Sequence, residues 1–219
     1  MIEKYGGIAT EKQLFFAGIV ENLDWGLDLD KGEISFGGSL VFPVQILGSF
    51  AHSPETWLWG WANSESDIPE NLLEDVQKLK EYGDTHKIDF LTSPQFKITR
   101  DFMHYVGLIA IGMFGASGYY LGNYGDGTIC LTISSKDIDE KFPNNHLSIL
   151  TIFPNLILQY ETNHKETFMN YLNQKGYEIE KNENEIVGKK GKDKIKATFD
   201  ELNRLKELTN ADIPKPVRQ

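Results

Sequence analysis

The chain has 219 residues, 40% of them hydrophobic and 25% charged, with a net charge of −10 and a sequence pI near 5.0. This composition excludes a disordered chain and leaves room for one large domain, or one domain with a small appendage, but not for two large ones. The excess of carboxylates opposes binding to phosphate backbones, so no nucleic-acid partner is expected.

Residues 1–7 lack the basic region and apolar core of a secretory signal, which points to the cytoplasm. The most apolar stretch, 106–121, holds four glycines and falls short of the roughly 20 residues that cross a bilayer, so no membrane partner is expected. Residues 10–22 place apolar side chains at loosely helical spacing behind Thr10, which can cap a first helix. Segments 24–29 and 33–36 flank Asp30, Lys31 and Gly32, a tight turn that predicts a hairpin. Strands at 44–51 and 56–63 follow, joined by a turn containing Pro54, and the short connections predict a four-stranded antiparallel meander. In 56–63 the strand period of two puts Trp57, Trp59 and Trp61 on one face.

A second helix is punctuated by Ser66 or Asp67 as cap, Pro69 in the first turn and Gly83 past the end, with Leu72, Leu73, Val76, Leu79 and Tyr82 as its inward stripe. Short extended pieces at 89–92 and 95–98 lead to Thr99, the predicted cap of a buried helix reaching about residue 116. Its Gly107, Gly112 and Gly115 require close packing to offset their poor helix propensity. Segments 119–121 and 128–134 form another hairpin around the glycine-rich 123–127, and the polar stretch 135–145 is the best domain boundary. The last third reads as strands 147–153 and 156–161, a helix 165–174, and strands 177–181, 185–187 and 194–199. Residues 200–209 fit either a hairpin with Asn203 in a left-handed conformation or a helix with Leu202, Leu205 and Leu208 in a stripe. Pro214 and Pro216 mark a tail. The expected architecture is therefore α+β. An antiparallel β-meander with packed helices occupies residues 1–135, and a smaller ββαβββ part occupies 146–210, packed on the first or separate from it.

Chemistry is sparse. Cys130 is the only cysteine and lies in an apolar alternating run, the setting of a buried thiol rather than a nucleophile. No two of His52, His86, His104, His146 and His164 have the spacing of ligands on one helix face, and no phosphate loop or serine elbow is present, so neither a metal nor a cofactor is expected. Asp24, Asp28 and Asp30 alternate as a solvent face would, and the lysines of 189–194, broken by Gly191 and Asp193, read as a solvated turn. Trp57, Trp59 and Trp61 either form the core under the helices or line a recognition surface.

Gln45-Ile46-Leu47-Gly48-Ser49 followed by Thr56-Trp57-Leu58-Trp59-Gly60-Trp61-Ala62-Asn63 resembles the signature Q-x-x-G-S then T-W-x-W-x-W-x-N of an uncharacterised bacterial family of unknown function. Trp25-Gly26-Leu27-Asp28 and Tyr82-Gly83-Asp84 fit the same pattern, and the resemblance covers about 23–135. Residues 199–205 look like a hairpin common in such proteins, with Asn203 where glycine is usual. The resemblance implies an architecture and no activity. The leading reading is a non-enzymatic interaction protein that holds another protein on its aromatic face or acidic surface. A concrete form is an immunity-type protein that neutralises a basic toxin domain. The alternative is a small-molecule binding protein or hydrolase with a pocket between the tryptophan strand and the glycine-rich helix, using Asn63, Tyr82 or His104 as polar groups.

Overall fold

A computed structural model describes residues 1–211; Pro214 and Pro216 lie outside the described residues. Two compact units divide the chain, one of Lys12–Phe142 and one of Met1–Glu11 with the residues from 143 on. The boundary falls inside the first helix, α1 (Ile2–Val20). That helix begins eight residues earlier than its predicted cap at Thr10. Gly6 and Gly7 resemble a loop in the sequence, but each is a point of close packing. A Cβ on Gly7 would sit 2.3 Å from the Tyr171 ring, and one on Gly6 would sit 3.0 Å from Leu156. Thr10 is mid-helix and its hydroxyl donates to the Gly6 carbonyl at 2.7 Å.

In the Lys12–Phe142 unit, β1 (Trp25–Asp28) and β2 (Glu33–Phe36) form the predicted hairpin, closed by Gly32 at φ +68°. The next strand, β3 (Leu40–Ala51), pairs first with β2 and then with β4 (Thr56–Trp59), so the expected antiparallel meander is present. The predicted strand 56–63 is cut short: Gly60–Ala62 is a 3-10 turn. Gly60 permits the departure, because a Cβ there would lie 2.9 Å from Leu73 and 3.0 Å from the Ile46 carbonyl oxygen. Trp61 thereby leaves the face it was expected to share with Trp57 and Trp59.

The second helix also starts later than predicted. A 3-10 turn at Glu70–Leu72 precedes α2 (Glu74–His86), and neither Ser66 nor Asp67 caps it. The anchor comes from the sheet: Gln45 Nε2 donates to the Asn71 carbonyl at 2.7 Å, and Gln45 Oε1 accepts the Asp75 N–H at 3.1 Å. Gly83 lies inside α2, where a Cβ would meet Leu91 at 2.5 Å, and Lys87 in a left-handed conformation ends the helix. Residues 89–92, expected to be extended, form a short helix, α3 (Asp89–Thr92), that buries Leu91. Strand β5 (Gln95–Lys97) then extends the meander beside β4.

The glycine-rich helix α4 (Asp101–Phe114) is buried from Val106 to Ile111, as expected. Gly107 is required by the ring of Tyr119, which a Cβ would approach to 2.4 Å. After the left-handed Gly115 come β6 (Gly118–Asn123) and β7 (Gly127–Ile133), the second predicted hairpin. Strand β7 also pairs with β3, around a bulge between Ile46 and Gly48, while among the described residues β6 pairs with β7 alone. The polar stretch that follows carries α5 (Lys136–Lys141), which buries Ile138.

In the other unit, residues 147–161 form one helix, α6 (Ile149–Gln159), where two strands were expected. Ile149, Ile152, Phe153 and Leu156 are its buried residues, and their spacing of three, one and three is helical. Their β-branched and aromatic character, interrupted by Pro154, had suggested strands. Helix α7 (His164–Gln174) begins at Asn163, whose side chain accepts the Glu166 N–H at 3.1 Å. An antiparallel sheet follows in the order β11-β10-β9-β8, formed by β8 (Glu178–Lys181), β9 (Glu185–Lys190), β10 (Asp193–Phe199) and β11 (Leu205–Asn210). This part is thus ααββββ, not ββαβββ. Of the two readings of 200–209 the hairpin holds: Asn203 has φ +59°, and Asp200 Oδ1 accepts the N–H groups of Leu202 and Arg204 at 2.9 Å each. The fold class is α+β with antiparallel sheets.

Candidate functional site

The β3–β4 register places Gly48 opposite Trp59 and Phe50 opposite Trp57. Trp57 and Trp59 are both 0% exposed, and their rings meet edge to face at 5.2 Å. Phe102 of α4 lies 6.4 Å from Trp57, Phe96 of β5 lies 6.4 Å from Trp59, and Trp59 Nε1 donates to the Phe90 carbonyl at 2.8 Å. Gly48 makes room for this arrangement, since a Cβ there would lie 2.6 Å from the Trp57 ring and 2.5 Å from the Leu58 carbonyl oxygen. The space between the tryptophan strand and the glycine-rich helix, expected to hold a pocket, is filled by aromatic rings. Neither of these two indoles presents a surface to solvent.

The remaining predicted site residues are dispersed. Trp61 is half-buried beneath the Lys80 ammonium, 4.4 Å from the ring centroid. Tyr82 stacks on His86 at 3.8 Å along α2. His104 of α4 and the Tyr119 hydroxyl are hydrogen-bonded through Nδ1, 2.5 Å apart. Asn63 folds the chain after the Gly60–Ala62 turn, its Oδ1 accepting the N–H groups of Glu65 at 3.3 Å and Ser66 at 3.2 Å.

Only Asn63, of these six, lines a cavity of about 170 Å³ on the sheet face opposite Trp57 and Trp59. Ile46, Ser49 and Ile129 contribute from β3 and β7. Gly60, Asn63, Ser66 and Ile68 contribute from the segment that turns away from β4, and Leu29 and the exposed Tyr124 complete it. The signature residues build this cavity. Gly48 and Ser49 line the cavity, Asn63 bends the lining segment 60–68, and Gln45 anchors the chain beyond that segment through Asn71 and Asp75. Ser49 and the cavity itself were missed by sequence reasoning, although the strand period already places Ser49 opposite Gly48 and hence opposite the indoles.

Polar groups in the cavity are two hydroxyls, one carboxamide and the Tyr124 phenol; among the described residues, no carboxylate, imidazole or ammonium lines it. Its lining is bordered in sequence by the exposed acids Asp30, Glu65, Asp67 and Asp126. The nearby Asp28 carboxyl is held below the usual carboxylate range, chiefly by its hydrogen bond to Lys31. Such a site can accept an apolar group and hydrogen-bond its periphery, but it carries no paired acid and base for bond cleavage.

A second cleft, of about 330 Å³, lies between the end of α1, residues 21–23 and β6, and His104 lines it together with Tyr119 and Leu121. Burial lowers the His104 pKa, with Asp101 opposing the shift.

Elsewhere, burial pushes the Cys130 thiol far up, and its sulfur donates to the Met103 carbonyl, 4.0 Å away. In the other unit Lys175 Nζ lies 2.7 and 2.9 Å from the two Glu11 carboxylate oxygens, and the Tyr171 hydroxyl donates to the same carboxylate. Burial lowers the Lys175 pKa against the pull of Glu11. This closed ion pair leaves the amine no free lone pair for catalysis. Among the described residues no group of three or more His, Cys, Asp or Glu side chains could hold a metal ion, and no helix is long and apolar enough to cross a membrane.

These features define an antiparallel α+β protein with an aromatic-packed sheet and a small, mainly apolar socket on its reverse face. The chain belongs to a family of unknown function, DUF6882, which it matches over residues 1–136. No curated protein and no solved structure matches it.

Proposed function

We propose that the protein is a non-enzymatic binding protein that takes one apolar side chain of a basic protein partner into the cavity beside Ser49 and Asn63. The carrying observation is the cavity's size. At about 170 Å³ it slightly exceeds the roughly 150 Å³ of a cavity that accommodates benzene, and it is smaller than the 300–1,000 Å³ typical of small-molecule sites. Deeply seated single side chains are the usual anchors of protein interfaces. A net charge of −10, with exposed acids bordering the lining, supports a basic partner and fast encounter with it. The concrete form is an immunity-type protein of a bacterial cytoplasm that neutralises a basic toxin domain.

The test is calorimetric titration with the capped tripeptide Lys-Leu-Lys and its counterpart Glu-Leu-Glu, on the native chain and on Ser49→Phe, which fills the cavity from a half-buried strand position. Binding of the lysine peptide alone, lost in a folded Ser49→Phe protein, is the expected result. Equal affinity for both peptides, or full binding by Ser49→Phe, overturns the proposal.

A further inference from the structure

Apart from the cavity above, one edge of β6 lies beside the 330 Å³ cleft. Among the described residues strand β6 pairs only with β7, so one of its edges has no described strand beside it. At Tyr119 that edge is occupied by a side chain: Gln13 Oε1 accepts the Tyr119 N–H at 2.8 Å, and Gln13 Nε2 donates to the Tyr119 carbonyl at 3.1 Å. The carboxamide makes the two bonds that a residue of a neighbouring strand would make. Both backbone groups of Tyr119 therefore point away from β7. Because outward and inward pairs alternate along an antiparallel strand, those of Leu121, two residues on, point the same way.

Leu121 lines the 330 Å³ cleft, together with Phe16, Val20, Leu23, Glu21 and His104. The apolar members offer a seat for a side chain next to a row of backbone hydrogen-bonding groups. His104, whose Nδ1 lies 2.5 Å from the Tyr119 hydroxyl, adds an imidazole that can hydrogen-bond a ligand. No lysine or arginine lines the cleft, Glu21 does, and Asp101 acts on His104, so the charge complements a neutral or basic ligand.

We propose that the cleft binds the backbone of an extended, neutral or basic peptide segment, one residue of which pairs with both the N–H and the C=O of Leu121. The register continues the pairing that Gln13 makes at Tyr119, in the manner of strand addition to a sheet edge.

The probe is N-acetyl-leucine N-methylamide, titrated into uniformly ¹⁵N-labelled protein and followed through the backbone amides. A saturable downfield movement of the Leu121 amide is expected, with Leu23 and His104 moving alongside. The ester analogue, in which oxygen replaces the leucine N–H, is expected to bind about tenfold more weakly, because it leaves the Leu121 carbonyl unpaired. Ala17→Trp, at an exposed α1 position that lines the cleft, is expected to abolish binding while the spectrum stays that of a folded protein. A stationary Leu121 amide, equal affinity for the ester, or undiminished binding by Ala17→Trp overturns the proposal.

Discussion

The two faces of the β3–β4 pair are built for different ends. On one, Trp57 and Trp59 are sealed under Phe96, Phe102 and the Phe90 carbonyl, with Gly48 cut back to admit an indole. On the other, Ser49 and Ile46 open onto a cavity whose lining segment is bent by Asn63 and followed by a stretch that Gln45 anchors. A single run of residues thus supplies both a rigid apolar layer and a socket, and the alternation of the strand separates the two roles. The conspicuous residues, the tryptophans, belong to the layer. The inconspicuous ones, two serines and an asparagine, belong to the socket.

The sharpest break of this contrast is Trp59→Ala. Removing a fully buried indole leaves a large void and an unpaired Phe90 carbonyl, so urea unfolding is expected to show a loss of about 3–5 kcal/mol. A loss below 1 kcal/mol would mean that the indole is not part of the core. Next to the socket, Gln45→Ala removes both bonds to Asn71 and Asp75 while leaving the indoles untouched, and it is expected to cost about 1–3 kcal/mol. Hydrogen exchange should then accelerate at 71–77 but not at 56–59; uniform acceleration would show that the two faces are not separable.

Much of this arrangement was readable from the chain, and the failures have physical causes. The turn at Gly32 was legible because it depends on a local backbone requirement, whereas the left-handed Asn203 was one of two readings that the leucine spacing left open. Helix α4 was legible because its glycines, helical spacing and apolar content agree with one another. The start of α1 was hidden because Gly6 and Gly7 serve contacts with Leu156 and Tyr171, far away in sequence. Helix α6 was hidden because Ile, Leu and Phe around Pro154 satisfy strand composition as readily as helical spacing. The socket was the least legible feature, since it requires residues near 29, 46–49, 60–68 and 124–129 to converge. Asn63 alone among the proposed site residues pointed to it, and His104 pointed to the second cleft.

A smaller effect concerns that second cleft. The fold holds the His104 pKa below its ordinary 6.5, so the unfolded chain binds this proton more tightly. The corresponding stability is complete above about pH 6.5 and is lost as the pH falls through that value toward the folded pKa. Titrating the His104 Cε1–H resonance should give a midpoint below 6.5, lowered further in Asp101→Asn, because Asp101 favours the charged ring. A midpoint above 6.5 would show that the imidazole is not desolvated in the cleft.

The division of labour between the faces is tested most directly by mapping the ¹H–¹⁵N shifts produced by the capped Lys-Leu-Lys peptide. The amides of Ser49, Asn63, Ser66 and Ile129 should move together while the indole N–H signals of Trp57 and Trp59 stay in place. Movement of those indole signals with the cavity residues silent would contradict the account.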